Sequence, residues 1–139
     1  MTDSIFLDTN ILVYAYDNHY PKKQGTAQAL LKEGIRTESV VLSSQVLGEF
    51  FVVVTRKIKN PISAEEAQKI IALLGVLQIV DVDFSLVTLA VENHKKYGIS
   101  YWDSLIIVAA ARAGCKRVMT EDLDHGEEYS SVLVENPFH

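Results

Sequence analysis

Apolar residues along the chain fall into short unbroken runs that alternate with longer stretches of helical spacing. The runs SIFL (4–7), SVVL (39–42), QIVDV (78–82) and RVMT (117–120) have the length of buried strands, and residues 132–134 add a fifth at the edge. Between them the pattern predicts helices over about 10–17, 21–32, 45–59, 63–74, 85–97 and 102–113. Pro21 stands at a helix start, where a missing N–H is tolerated. Val46, Phe50, Val54 and Ile58 repeat with a helical period until Pro61 stops the run, and Ser63 with Glu66 forms a capping box for the next helix. Gly98 and Gly114 close the last two helices. Short apolar strands alternating with helices imply an α/β fold with a mostly parallel central sheet of four to five short strands, flanked by helices. No repeat or Pro/Ser-rich linker interrupts the pattern, so residues 1–139 are expected to form a single domain.

Composition narrows the classes. Of the 139 residues 48% are hydrophobic and 22% charged, which suits one globular core and excludes a disordered chain. No apolar run approaches the roughly 20 residues of a membrane helix, and the opening MTDSIFLDTN lacks the basic start of a leader, so no membrane association is expected. Cys115 is alone, which rules out an internal disulfide and points to a reducing, cytoplasmic setting; its apolar neighbours make it a packing residue. The net charge of −5 repels a polyanionic ligand unless cations intervene.

The acids carry the chemistry. Open parallel sheets bind ligands beyond the carboxyl ends of their strands. Asp8 directly follows the first strand, Glu49 lies early in the helix leaving the second, Asp103 opens the helix that feeds the fourth, and Asp122 follows that strand's end. All four fall at one sheet edge. Each also has an ordinary reading: Asp8 as a helix N-cap, Asp103 as a first-turn acid, Asp122 as a turn residue. Glu49 fits least well, because Val46, Val52 and Val53 share its helix face. Carboxylates gathered in an apolar setting repel one another and tend to protonate, and a divalent cation removes both penalties. An all-oxygen set suits Mg²⁺ or Mn²⁺, with Asp124 as a further ligand; His19, His94, His125 and His139 lack zinc-site spacing. Asp81 and Asp83 read as strand-end or capping residues, and Asp17 and Glu121 as acids near loops.

At these residues the chain resembles the PIN-domain ribonucleases, and within them the VapC-type toxins of toxin–antitoxin pairs. The matching segments are IFLDTNILVYAYD, LSSQVLGEFF, ISYWDSLIIVAA and VMTEDLDHG, in order from residue 5 onward, with ENPFH like the close of many such toxins. The resemblance implies a PIN-like domain in which Asp8, Glu49, Asp103 and Asp122 are catalytic metal-binding acids, supported by Thr9, Asn10 and Thr120. It also implies Mg²⁺ or Mn²⁺ as cofactor, an RNA substrate, a homodimer, and inhibition by a small cognate antitoxin. The expected reaction is attack of metal-activated water on a phosphodiester, leaving a 5′-phosphate and a 3′-hydroxyl. Arg56, Lys57 and Lys59, and separately Lys22 and Lys23, are basic groups available to an RNA backbone, and Tyr14, Tyr16, Tyr20 and Tyr101 are available to stack bases. Two alternatives stay open: an RNA-processing PIN nuclease with no antitoxin, and an acidic-pocket Mg²⁺-binding signalling domain. The latter wants a modifiable Asp at the end of a central strand and a lysine after the last strand, whereas QIVDV leads into Asp83 and Phe84 and no lysine is well placed after Thr120.

Overall fold

A computed structural model describes residues 3–139; Met1 and Thr2, which open the stretch read above for a leader, lie outside the described residues. Six strands form one sheet: β1 (Ile5–Leu7), β2 (Val40–Ser43), β3 (Gln78–Val80), β4 (Arg117–Met119), β5 (Glu128–Tyr129) and β6 (Val132–Glu135). Their order is β3-β2-β1-β4-β6-β5, parallel throughout except for the terminal β5–β6 hairpin. The helices are α1 (Thr9–Tyr14), α2 (Pro21–Arg36), α3 (Ser44–Arg56), α4 (Ala64–Leu74), α5 (Phe84–Tyr97) and α6 (Tyr101–Arg112). The fold is therefore the α/β arrangement expected, with one strand more than the apolar runs announce. That strand, β5, has two residues and an exposed-to-intermediate face, too little for a hydrophobic signature.

Every residue of β1 and β2 is buried, which requires cover on both faces and explains why these strands read as unbroken apolar runs. Phe6, Leu42, Val46, Phe50, Leu86 and Ile107 are among the fully buried side chains at the centre of the core. The packing of α2 on β2 is close: a Cβ added at Gly34 would lie 1.9 Å from Val40 Cγ2, so only glycine fits there.

Helix ends depart from the periodic reading by a turn or less. α1 stops at Tyr14 because Tyr16 N–H and Asp17 N–H donate three residues back, to Val13 and Tyr14, tightening the chain into a turn. α3 stops at Arg56, where Lys57 N–H and Ile58 N–H both donate to the Val53 carbonyl. α2 runs one further turn, to Arg36, which pairs with Glu33 on the same face. The Ser63 capping box is present, with Ser63 Oγ accepting from Glu66 N–H at 3.1 Å. Gly98 takes φ 72°, a left-handed conformation that ends α5 at little cost.

Candidate active site

The register of the two central strands builds the site. β1 and β4 pair in parallel with Leu7 opposite Met119, so the residues that follow them, Asp8 and Thr120, emerge side by side. Thr120 Oγ1 donates to Asp8 Oδ2 at 2.7 Å, while Asp8 Oδ1 accepts from Thr9 N–H at 2.7 Å as the N-cap of α1. Asn10 extends the support: its Nδ2 donates to Thr120 Oγ1 at 3.3 Å and its Oδ1 accepts from Glu121 N–H at 3.4 Å. Asp122 N–H donates to the same threonine oxygen at 3.1 Å, which fixes the start of the loop that carries Asp122. Asp103 arrives from the opposite side of the sequence on the first turn of α6, where its N–H donates to Ser100 Oγ at 3.0 Å.

Asp8, Asp103 and Asp122 each bring a carboxylate oxygen within 4.8 Å of the others. Asp8 is buried, Asp103 half-buried and Asp122 exposed. Burial pushes the Asp8 carboxyl up to about 7, against the lowering effect of its bonds from Thr120 and Thr9 and with a further push from the negative charge of Asp122 and Asp103. Asp103 is also raised, first by burial and then by Asp122, with the Ser100 hydrogen bond opposing. Two helix N-termini, of α1 and α6, face these carboxylates with their positive ends and offset part of the repulsion. A set of three converging oxygen donors, two of them with carboxyls raised by burial, fits a hard divalent cation.

Glu49 borders this group without joining it. It lines the same cleft of about 370 Å³ as Asp8, Asp103 and Asp122, together with Gln45 and Trp102. Its carboxylate accepts from Gln45 Nε2 at 2.7 Å and from Thr9 Oγ1 at 3.4 Å. The face inferred for it is only partly buried: Val46 is fully buried and Val53 half-buried, but Glu49 itself is exposed and Val52 is 42% exposed, because the buried stripe of α3 runs through Val46, Phe50 and Val54. Glu49 thus stands at the rim, placed by the start of α3, whose N-cap Ser43 accepts from Val46 N–H at 3.3 Å.

A protein-family model of the PIN domain matches residues 5–127. The chain belongs to the PIN-domain family. No curated protein sequence matches this PIN domain at a significant level. Among solved structures it is similar to the sarcin–ricin loop cleaving toxin VapC20 of Mycobacterium tuberculosis (24% identity, TM-score 0.66, covering 83% of this chain and 87% of that one). It is also similar to VapBC2 from Rickettsia felis bound to a promoter DNA fragment (24%, 0.65, 95% and 97%) and to DNA-bound VapBC from Salmonella typhimurium (18%, 0.69, 98% and 99%). These likenesses establish the shared fold.

The remaining residues singled out in the sequence take separate places. Asp124 is exposed and stands outside the three-carboxylate group; its carbonyl accepts from Glu127 N–H in the turn that follows. Asp83 caps α5 through Leu86 N–H and pairs with Arg112, after a strand that lies at the sheet edge. Lys23 is engaged by Glu121 at 2.9 Å, and Glu121 also accepts from the Tyr14 hydroxyl at 2.5 Å. Lys23 and Tyr14, expected to be available to RNA, are instead tied to Glu121, and neither that contact nor the part played by Gln45 is legible in the sequence. Gln45 had one available signal, its position a helical turn before Glu49 on the same face. No helix is long and apolar enough to cross a membrane among the described residues. Cys115 is buried, and burial raises its thiol to about 11, in keeping with a packing role.

Proposed function

We propose that this PIN domain is a Mg²⁺- or Mn²⁺-dependent endoribonuclease and the toxin of a VapBC-type toxin–antitoxin pair. The observation that carries the reading is the convergence of Asp8, Asp103 and Asp122 within 4.8 Å at the carboxyl edge of the two central strands. Asp8, Asp103 and Asp122 would hold the cation, which when bound offsets phosphate charge, lowers the pKa of water and stabilises the leaving oxygen. Thr120 and Asn10 keep the Asp8 carboxylate in one orientation, so the donor set is formed before the cation arrives. Glu49 sits across the cleft, its carboxylate oriented by Gln45 and Thr9, where it can accept the proton that an attacking water gives up. The incoming oxygen bonds to phosphorus as the bond from phosphorus to the 3′ oxygen breaks, the departing oxygen takes a proton from solvent water, and the products carry a 5′-phosphate and a 3′-hydroxyl.

The toxin part of the reading draws support from the near full-length likeness to VapC20 and to two VapBC complexes. It brings with it a small cognate antitoxin and a homodimer, in a cytoplasmic setting. The test is incubation of the purified protein with structured and single-stranded RNA, with and without Mn²⁺. Asp8→Asn and Asp103→Asn should each lower cleavage by at least about 100-fold while circular dichroism shows a folded domain. Metal-dependent cleavage retained by either variant would count against the assignment.

A further inference from the structure

The acidic cleft does not end at the acids. A second, larger groove of about 540 Å³ shares Thr9, Glu49 and Asp122 with it and continues between α1 and the end of α3. Its far end is built differently. Lys57 and Lys59 line it, both exposed, and neither makes an ion pair among the described residues. Arg56, the third member of that basic run, does not line the groove. Tyr20 is 46% exposed on its wall and is held edge-on by the rings of His19 at 4.8 Å and Tyr14 at 5.6 Å. Asp17, the acid at this end, is buried and its carboxylate accepts from His19 N–H at 3.0 Å. Anion-seeking and cation-seeking groups are thus segregated along one continuous channel in a protein whose net charge is −5.

We propose that this groove is a subsite for the single-stranded polynucleotide that flanks the scissile phosphate, Lys57 and Lys59 taking backbone phosphates and Tyr20 stacking a base. The inference rests on the nuclease reading and adds to it the path of the strand and the residues that hold it. Free cations beside an exposed, fixed aromatic ring are the combination that binds unpaired nucleic acid, since the phosphates supply the charge and every base has a face to stack. A duplex keeps its bases inside and offers nothing to Tyr20. Lys23 is set aside from this role by its Glu121 partner, which leaves the end of α3 as the basic group that faces the channel.

The experiment measures binding of fluorescein-labelled single-stranded RNA, and of the same sequence as a duplex, by anisotropy in EDTA over a range of salt. Cleavage of the single strand with Mn²⁺ runs beside it. Lys57→Gln/Lys59→Gln should weaken single-strand binding about tenfold and flatten the log–log salt slope by about 1.4, the loss of two phosphate contacts. Tyr20→Ala should weaken it about fivefold or more without changing that slope. In cleavage the lysine double variant should raise KM more than it lowers kcat. Lys69→Gln, an exposed charge on α4, is the control and should leave affinity as it was. A double variant with the wild-type affinity and slope, an equal loss in Lys69→Gln, or tighter binding of duplex than of single strand overturns the subsite. If the wild type still cleaves RNA with Mn²⁺ in that case, the nuclease reading stands alone; a wild type that neither binds nor cleaves RNA overturns both.

Discussion

Asp8 occupies a place where a carboxylate is poorly tolerated, at 5% exposure and beside two other acids. Its hydrogen bonds from Thr9 and Thr120 only partly compensate, and burial holds its carboxyl at about 7. The sign of the linkage follows. Unfolded, the group titrates near 3.8; folded, near 7, so the folded state binds the proton more tightly. Below the lower value the group is protonated in both states and carries no penalty. Between the two the metal-free protein loses stability as pH rises, and above the upper value the full penalty is present, at most about 4 kcal/mol. In EDTA the melting temperature of the wild type should therefore fall between pH 5 and pH 7.5 relative to that of Asp8→Asn, which has no charge to bury. At pH 7.5 the variant should melt several degrees higher, on the order of 5 °C. Parallel melting profiles for the two proteins would show that Asp8 is not the strained group. The gain in stability by a variant that loses its catalytic acid is the expected signature of a site kept at the expense of the fold.

At the scale of elements, the loop after β4 is what the sequence concealed. Capping residues were legible, because Ser63 and Asp83 act on backbone groups a few residues away. The tether of the Glu121–Asp122 loop was not, since Glu121 meets Lys23 and Tyr14 across separations of 98 and 107 residues. Lys23 Nζ also lies over the rings of Tyr14 and Phe138 at 4.8 and 5.2 Å, so α1, α2 and the C-terminal segment converge on one cation. This clamp stands one residue from Asp122 and immobilises its loop. As a partly exposed ion pair it contributes little to global stability, about 1 kcal/mol or less. Its effect belongs to the geometry of the site. Glu121→Gln, or Lys23→Met with its apolar stem kept, should lower the metal-free melting temperature only slightly. Each should raise the Mn²⁺ concentration for half-maximal stabilisation by about tenfold, as outer-shell substitutions do. Calorimetry of Mn²⁺ binding reads this directly, and an unaltered midpoint in both variants would mean that Asp122 needs no tether.

Across the whole molecule, the sequence disclosed which residues end strands and start helices, and the strand order decided which of them meet. Asp8 and Asp122 come together because β1 and β4 are neighbours in β3-β2-β1-β4-β6-β5, a fact of pairing that no local pattern contains. Asp103 joins them because α6 returns across the sheet and presents its first turn at the same edge. Glu49 reaches the same edge because α3 leaves β2 there, as its place early in that helix predicts, but the apolar setting expected around it is absent, since its side chain is exposed. Asp124 follows Asp122 by two residues, but the turn at Asp124–Glu127 directs the chain away into the β5–β6 hairpin. These placements rank the acids. Cation binding to the folded state alone raises the melting temperature by mass action, so the shift measures how much of the donor set survives. Millimolar Mn²⁺ should raise the wild-type melting temperature, and Asp8→Asn, Asp103→Asn and Asp122→Asn should each remove most of that rise. Glu49→Gln should keep a larger share of it, because its carboxylate stands outside the mutual 4.8 Å grouping while bordering the cleft. Asp124→Asn should behave as the wild type. An Asp124 variant that lost the shift while Asp122→Asn kept it would require the β4–β5 loop to turn the other acid into the cleft, and the donor set described here would be wrong.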